Sequence, residues 1–232
     1  GATGRYMLQV RADPLDGEAL VENNAANREV TIRDESLKLF FVEYEPTWEW
    51  RFVKEVFHRD PLIGREGFRT FLRSADFKVR RSNELFVETL IQPRSDFFAH
   101  DVIFLSDVPG EMVSEHFQEM VREYVEKFGG GLVVIAGPRF GVGSLAQTSI
   151  GDMLPVVVDG ALRPRVGRFV PQFTPYAAET DFMQLGKNQT ESRAAWANMG
   201  QLPWYQPVAR PHPLATVLAE HPIDRCVDNR TP

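Results

Sequence analysis

Three segments of the chain place polar or charged side chains directly after predicted β-strands. Glu43 and Glu45 follow one apolar run, Ser106 and Asp107 follow a second, and the glycine-rich residues 137–144 follow a third. In an open α/β sheet, ligands bind in the crevice beyond the carboxyl ends of the strands, so we expect these segments to meet there. Carboxylates beside a glycine-rich loop could bind a metal ion or a polar ligand. In the simpler interpretation, Glu43 and Glu45 solvate or cap a loop, and Asp107 accepts hydrogen bonds from backbone amides in a turn.

The glycine-rich segment partly matches two nucleotide-binding motifs. Gly141, Gly143 and Ala146 fit the G-x-G-x-x-A form of a dinucleotide fingerprint, but residues 137–140 separate this motif from its strand. A phosphate-binding P-loop would need a lysine that the segment lacks. We therefore predict no nucleotide cofactor.

Nucleophilic catalysis would need a serine or cysteine on a tight strand-to-helix turn, with a histidine in reach. The turn after the predicted strand at 132–136 reads Gly-Pro-Arg at 137–139, and none of these is a nucleophile. Ser144 lies further along the loop, and Cys226 lies in the C-terminal tail. The histidines show no i, i+4 helical pair and no H-E-x-x-H motif. The sequence predicts neither a catalytic nucleophile nor a metal site.

The composition is that of a mildly acidic globular protein. The 232 residues include 26 Lys and Arg against 32 Asp and Glu, which gives a formal net charge of −6. This balance disfavours a nucleic-acid surface, because phosphate contacts need clustered basic residues. No apolar run reaches the ~18–20 residues that cross a bilayer. The single cysteine cannot form an internal disulfide.

The elements that must position the polar segments are clearest between residues 37 and 136. Residues 37–42 form an apolar run typical of a strand that is buried on both faces, and residues 68–72 predict a second strand. A buried strand is predicted at residues 101–107, a helix that ends in glycines at 114–128, and another buried strand at 132–136. Because strand, helix and strand follow in a short space, we expect an open α/β sheet with parallel strands.

A further helix is predicted between the first two core strands, with Thr47 as its N-cap and Phe57 near its end. Its broad apolar face would contain Trp48, Phe52, Val53, Val56 and Phe57. A short helix could form within residues 85–91. The four tryptophans could line a groove, although such residues more often close the edge of a core; they are Trp48, Trp50, Trp196 and Trp204.

The flanking regions are less regular. Within residues 1–35, two strands are predicted at 6–12 and 28–33, and we interpret them as the last strands of a β-sandwich or as a linker, because two strands cannot bury a core alone. Residues 156–158 and 166–170 are short strand candidates, and 215–219 predict a strand. Residues 171–213 are predicted to form long loops over the sheet, and a polar tail is predicted from residue 222 onwards.

Six stretches together carry a family resemblance. They are KLFFVEYEPTWEWRF at 38–52, DVIFLSD at 101–107, GGGLVVIAGP at 129–138, FG at 140–141, TSIGDMLP at 148–155 and LP at 202–203. They are similar to the class I glutamine amidotransferase-like domains of large bacterial envelope proteins, over about residues 37–222. The resemblance implies a flavodoxin-like α/β fold for residues 36–232, with helices on both faces of the sheet and a short N-terminal β segment before it. It also implies a preceding immunoglobulin-like sandwich and a membrane-anchored parent protein.

The resemblance implies the fold more than the reaction. True class I amidotransferases use a cysteine at the turn that corresponds to residues 137–139, followed later by a histidine and a glutamate. Here that turn has no cysteine, and His212 and His221 each precede a proline rather than forming an H-x-E motif. Because fold alone does not carry function, glutaminase activity is not expected.

We therefore expect a non-catalytic interaction or ligand-sensing module of a membrane-anchored envelope protein, on the periplasmic or extracytoplasmic side. The expected partner is an unknown protein or a small polar ligand, with no nucleic acid, cofactor or metal. Candidate ligand-binding residues are Glu43, Glu45, Asp107, Arg139, Gly141 and Ser144. Two alternatives stay open, namely a hydrolase or amidotransferase-like enzyme that uses Glu43, Asp107 or Ser144, and a structural spacer.

Overall fold

A four-stranded parallel sheet forms the centre of the larger of two units in this chain. The computed structural model describes residues 4–13, 24–32 and 36–227. The two units are Gly1–Ser36 and Leu37–Pro232.

The strands are β1 (Gly4–Arg11), β2 (Ala25–Ile32), β3 (Leu39–Glu43), β4 (Phe68–Leu72), β5 (Val102–Ser106), β6 (Gly131–Ile135), β7 (Val156–Val157), β8 (Arg165–Phe169), β9 (Gln172–Phe173), β10 (Leu202–Tyr205), β11 (Arg210–Pro211) and β12 (Ala219–Glu220). The α-helices are α1 (Trp48–Arg59), α2 (Gly64–Gly67), α3 (Phe77–Ser82), α4 (Arg94–Phe97), α5 (Glu115–Phe128), α6 (Pro175–Glu179) and α7 (Gln189–Asn198). Short 3₁₀ turns occur at Gly110–Met112, Val142–Leu145, Gly151–Met153 and Asp181–Met183.

The smaller unit contains an antiparallel ribbon of β1 and β2. Its register runs from Gly4 opposite Ile32 to Arg11 opposite Ala25. The two strands predicted near the N-terminus are therefore present. All residues of β1 are exposed. The assignment of this ribbon to a β-sandwich stays a prediction.

The sheet of the larger unit has the order β4-β3-β5-β6, and every neighbouring pair is parallel. This is the α/β sheet that the sequence predicts. The chain passes from β3 to β4 on one side and then returns to β5 on the other side. The direction of strand order therefore reverses between β3 and β5, which is where open α/β sheets form a crevice beyond the carboxyl ends of their strands.

Opposite faces of the sheet pack against different helices. On one face, Phe40 and Val42 of β3 join a buried cluster with Phe117 and Val121 of α5. On the other face, Phe41 joins a second buried cluster, which includes residues of α1. Each residue of β3 is buried, as expected for a strand covered on both faces. This double packing fixes where the carboxyl ends of β3 and β5 lie.

Strand β6 differs from the expectation of a fully buried strand. Val133 and Ile135 are 38% and 36% exposed, whereas Leu132 and Val134 pack against the cluster that contains α5. The reason is that β6 is the last strand in the described sheet order and only one of its faces is covered. An apolar run alone does not distinguish an edge strand from a central one.

Helix α1 begins as predicted, but its buried face was predicted only in part. The Thr47 side chain accepts a hydrogen bond from the backbone amide of Trp50, and so caps the helix. Trp50 is buried, and Val53 and Phe57 pack beside it against the sheet. In contrast, three residues of the predicted apolar face are 69%, 66% and 63% exposed, namely Trp48, Phe52 and Val56. The sheet covers only one stripe of a helix that is apolar over more than half of its circumference.

Helix α5 is the helix that the sequence predicts between β5 and β6. The hydroxyl of Ser114 accepts a hydrogen bond from the amide of Phe117 at its start, and Gly129 ends it with a φ of 66°. A left-handed residue at this position favours glycine because a Cβ atom is strained there. The predicted helix within residues 85–91 is absent; instead Phe86 forms an isolated parallel bridge with Thr70 of β4.

The segment predicted as long loops contains regular elements. Helices α6 and α7 and strands β9 and β10 lie within residues 171–213. Pro175 begins α6, and the Asn188 side chain caps α7 by accepting from the amide of Glu191. Strand β8 pairs with β10, and β9 pairs with β12, which forms only at Ala219–Glu220. The loop prediction was wrong because these short elements are stabilised by pairing between segments that are distant in sequence.

Among the described residues, no helix combines the length and the apolar character needed to cross a membrane.

Candidate functional site

Glu43 and Ser106 are neighbours at the point where the strand order reverses. They are the last residues of β3 and β5, and they are opposite each other in the parallel register. The Ser106 hydroxyl donates to Oε1 of Glu43 at 3.4 Å, and the Thr47 hydroxyl donates to the same oxygen at 2.8 Å. Glu43 is 1% exposed, and its Oε2 is buried without a hydrogen-bond partner in the structure. A glutamate with an unpaired oxygen at this depth is rare, because buried polar groups are normally satisfied.

Burial raises the pKa of Glu43 from 4.5 to about 7. The hydrogen bonds from Thr47 and Ser106 act in the opposite direction, whereas the negative charges of Glu49 and Asp107 raise the pKa further. Desolvation dominates because the charged carboxylate loses its hydration without gaining a cation. The carboxyl group of Glu43 therefore changes its charge close to neutral pH.

Asp107 supports the loop after β6. It follows β5 with a φ of 42°, the left-handed region that few non-glycine residues adopt. Its carboxylate accepts hydrogen bonds from the backbone amides of Arg139 at 3.1 Å, Phe140 at 2.8 Å and Gly141 at 3.3 Å. Three amides on one carboxylate are a strong, charge-assisted interaction, and they offset a backbone strain of about 1–3 kcal/mol. Asp107 thus acts as the backbone acceptor that the simpler interpretation predicts.

A glycine at position 137 allows this arrangement. A Cβ atom at Gly137 would lie 2.0 Å from Cγ and 2.1 Å from Cβ of Asp107. The Asp107 side chain therefore passes over the backbone at position 137 and occupies the space where any residue other than glycine would have its Cβ atom. The first residue of the turn after β6 is therefore in direct contact with the Asp107 side chain.

Glu45 and Arg139 join the ends of β3 and β6. Their side chains form an ion pair that is about half exposed on both sides. The Arg139 guanidinium lies 4.9 Å from the ring centre of Tyr44 and 5.2 Å from that of Phe140. The two rings meet edge to face at 5.2 Å. Two of the predicted site residues are therefore in contact, through a salt bridge and aromatic rings.

Ser144 fastens the same loop to the segment after β5. Its hydroxyl lies 2.9 Å from the carbonyl oxygen of Val108 and 2.8 Å from that of Gly141. A catalytic serine needs a general base, most often an imidazole, as the acceptor of its proton. Among the described residues, which include every histidine, no imidazole forms a hydrogen bond with Ser144. The position supports a bracing role and not that of an activated nucleophile.

An open cavity of about 490 Å³ lies between the loops that follow β5 and β6. It is lined by Pro109, Gly110, Glu111, Gln118, Phe140, Ser144, Gln147 and Thr148. Gln118 donates to the carbonyl of Val113 and accepts from the amide of Ser149, both at 2.8 Å, so its amide group is already engaged. Glu111 and Gln147 form no hydrogen bond or ion pair with the described residues and remain available to a ligand. We call this space the strand-end cavity.

Of the six predicted site residues, only Ser144 lines the strand-end cavity. Asp107, Arg139, Gly141 and Glu45 hold its neighbouring loop in place, and Glu43 is buried beside Ser106. Sequence reasoning missed Glu111 and Gln147. The only sequence signal for these two residues is that they lie in loops that follow core strands. Many other polar residues have the same position, so this signal does not single them out.

Cys226 and His221 line another cavity, of about 280 Å³. The predicted polar tail is therefore wrong at Cys226, which is 8% exposed; residues 228–232 lie outside the described part. Nδ1 of His221 accepts from the backbone amides of Asp224 at 2.8 Å and Ile223 at 3.3 Å. Two donors at Nδ1 place the proton of the neutral ring on Nε2. Nδ1 of His221 is therefore already engaged by two backbone donors and is not free to accept a proton from a cysteine.

No group of three or more metal-ligating side chains is assembled in the parts of the chain that the structure describes. Comparisons of the chain with protein-family models, with curated proteins and with solved structures find no match in any of the three.

Proposed function

We propose that residues 36–232 form a non-catalytic, amidotransferase-like domain that recognises a small polar ligand or a segment of a partner protein at the strand-end cavity. The observation that carries the proposal is the use of the loop after β6 as a scaffold. Three consecutive amides of this loop are bound by the Asp107 carboxylate, and its first residue, Gly137, is in the path of that side chain. A reaction centre would need a nucleophile and free donors at this turn.

The sheet order supports the assignment of a flavodoxin-like fold. With its strands numbered from β3, the order β4-β3-β5-β6 reads 2-1-3-4, which agrees with the first four strands of the flavodoxin-like order. The resemblance to amidotransferase-like envelope domains adds the expectation of a membrane-anchored parent and a preceding sandwich domain. Both expectations rest on the sequence resemblance.

The chemistry of the cavity favours a ligand that donates hydrogen bonds. Glu111 offers a carboxylate, Gln147 offers an amide, and Phe140 offers an aromatic wall. Arg139, which directly precedes the lining residue Phe140, is paired with Glu45 and does not line the cavity. A hydroxyl-bearing or amide-bearing ligand would fit these groups better than a phosphate or carboxylate, which would need a free cation.

The test is a screen of small polar fragments by amide chemical-shift mapping. We expect hits to perturb the amides of Val108, Gly110, Glu111 and residues 140–148. Gln147→Ala should weaken those hits several-fold, and Gln201→Ala, at an exposed glutamine that does not line the cavity, serves as the matched control. The assignment of the cavity would be refuted by hits that perturb amides elsewhere only, or by hits whose affinity is the same for Gln147→Ala and wild type.

A glutamine hydrolysis assay tests the proposal that the domain is not catalytic. We expect no release of ammonia above buffer at neutral pH. Release that disappears in Ser144→Ala or Cys226→Ala would overturn the non-catalytic assignment, because it would place a working nucleophile in this chain.

A further inference from the structure

A separate cavity of about 430 Å³ lies in the region that was predicted as loops. It is formed by β9, α6, α7 and the 3₁₀ turn Asp181–Met183. No candidate site residue and no residue of the strand-end cavity lines it. Its volume falls within the range of about 300–1,000 Å³ that is typical of small-molecule sites. We call it the α6–α7 cavity.

The floor of the α6–α7 cavity is aromatic and apolar. The rings of Phe173 and Trp196 are 4.9 Å apart between centroids, with 50° between their planes. Pro175, Ala177, Ala178 and Met183 also contribute to the apolar lining. The Trp196 indole nitrogen donates to the Met183 carbonyl at 2.8 Å, so its ring is held in one orientation. An aromatic ring would find both stacking and edge contacts here.

Two polar side chains of the lining, Gln184 and Ser192, are already hydrogen-bonded within the protein. The amide nitrogen of Gln184 donates to the carbonyls of Ala177 at 3.1 Å and Ala178 at 3.0 Å, at the end of α6. The Ser192 hydroxyl accepts from the amide of Gly186 at 3.0 Å. These bonds fix the walls, so the cavity is preformed and a ligand would not have to order them.

Two charged residues line the cavity, Glu179 and Arg193. Both are exposed, and neither forms an ion pair with any residue in the described part of the chain. A ligand with one charge would satisfy only one of them. A zwitterion with an aromatic side chain would satisfy both and would also cover the floor.

We propose that the α6–α7 cavity binds an aromatic α-amino acid. The ring packs against Phe173 and Trp196, the carboxylate faces Arg193 and the ammonium group faces Glu179. This site is independent of the strand-end cavity and of the function proposed there.

Calorimetric titration with three related compounds tests the charge assignment. Phenylalanine has both charges, 3-phenylpropionate has only the carboxylate and phenethylamine has only the ammonium group. Phenylalanine should bind most tightly, and each analogue should bind about two- to five-fold more weakly, which is the scale of one exposed ion pair. The proposal fails when none of the three binds, or when an analogue binds as tightly as phenylalanine.

Variants locate the binding. Ala178→Phe fills the cavity and should abolish binding, whereas Ala197→Phe adds the same side chain at an exposed position outside it. Arg193→Gln should weaken phenylalanine and 3-phenylpropionate about two- to five-fold and leave phenethylamine unchanged. Arg168→Gln, at an exposed arginine that does not line the cavity, is the matched control.

If a variant fails to fold, chemical-shift mapping on the wild-type protein can still locate the binding site. Addition of phenylalanine should perturb the amides of residues 177–178 and 192–196. Perturbation of other regions alone, or equal binding to wild type and Ala178→Phe, would overturn the proposal.

Discussion

The hydroxyl of Thr47 donates a hydrogen bond to Oε1 of the buried Glu43 at 2.8 Å. The same hydroxyl accepts from the backbone amide of Trp50 and so caps helix α1. One side chain therefore connects a carboxyl group at the end of β3 to the start of the helix that covers the sheet. Because the pKa of Glu43 is raised to about 7, this connection is sensitive to pH in the neutral range.

The raised pKa of Glu43 predicts that the protein loses stability as the pH rises through 7. The folded state holds its proton up to about pH 7, whereas the unfolded state releases it near 4.5. The stabilisation is therefore complete below about pH 4.5 and is lost between there and pH 7, by up to about 3 kcal/mol. Glu43→Gln should remove this dependence and be more stable than wild type at pH 8, as measured by urea unfolding at pH 5 and pH 8.

Glu49→Gln is the control for the pH experiment. Glu49 is exposed in the first turn of α1, and its charge raises the pKa of Glu43 only as a secondary cause. This variant should keep most of the loss of stability between pH 5 and pH 8. An unchanged pH dependence in Glu43→Gln would show that another group is responsible.

Thr47→Ala should destabilise the protein by about 1–2 kcal/mol, because α1 loses its N-cap and Glu43 loses a donor. It should also move the pKa of Glu43 above 7, since the Thr47 hydrogen bond lowers that pKa. Thr47→Ser retains the hydroxyl and should restore both properties. Urea unfolding and a carbon-13 titration of the Glu43 carboxyl measure the two effects. A pKa that is equal in Thr47→Ala and wild type would contradict the coupling.

Asp107→Ala should release the loop after β6 and destabilise the protein by about 2–3 kcal/mol, because three backbone amides lose a charged acceptor. Amide hydrogen exchange at Phe140 and Gly141 should accelerate strongly, while the amides within β5 should change little. Asp107→Asn keeps one acceptor oxygen and should give an intermediate effect. Exchange rates at 140 and 141 that equal those of wild type would mean that other contacts hold the loop.

The central sheet could be predicted because its signals are local. β3 is a run of apolar residues buried on both faces, and α5 has a serine N-cap and a glycine at its end. These features act within a few residues of where they occur, so the sequence alone contains them. Asp107 was also predicted to accept hydrogen bonds from backbone amides in a turn, but the amides that donate to it lie 32 to 34 positions away in the sequence, and local signals do not specify them.

The remaining features depend on contacts between distant segments. Phe52 and Phe57 are both apolar residues of α1, and only the position of the sheet decides that Phe57 packs while Phe52 is exposed. Gln147 lines the strand-end cavity because the loop after β6 lies opposite the segment after β5. The spacing of residues in the sequence does not show which loops lie opposite each other in the fold. For this reason the predicted site included the residues that hold the loop but missed Glu111 and Gln147.

The crossing of Asp107 over Gly137 predicts a non-additive pair of substitutions. Gly137→Ala would place a methyl group 2.0 Å from Cγ of Asp107 and should destabilise the protein by about 1–3 kcal/mol, the usual cost of overpacking. Gly167→Ala is the control, since a Cβ atom there meets nothing within 4 Å. In an Asp107→Gly background the obstructing side chain is absent, so Gly137→Ala should cost much less than it does alone. Urea unfolding of the four proteins in this double-mutant cycle measures the coupling, and equal costs in the two backgrounds would show that the contact does not determine the residue at position 137.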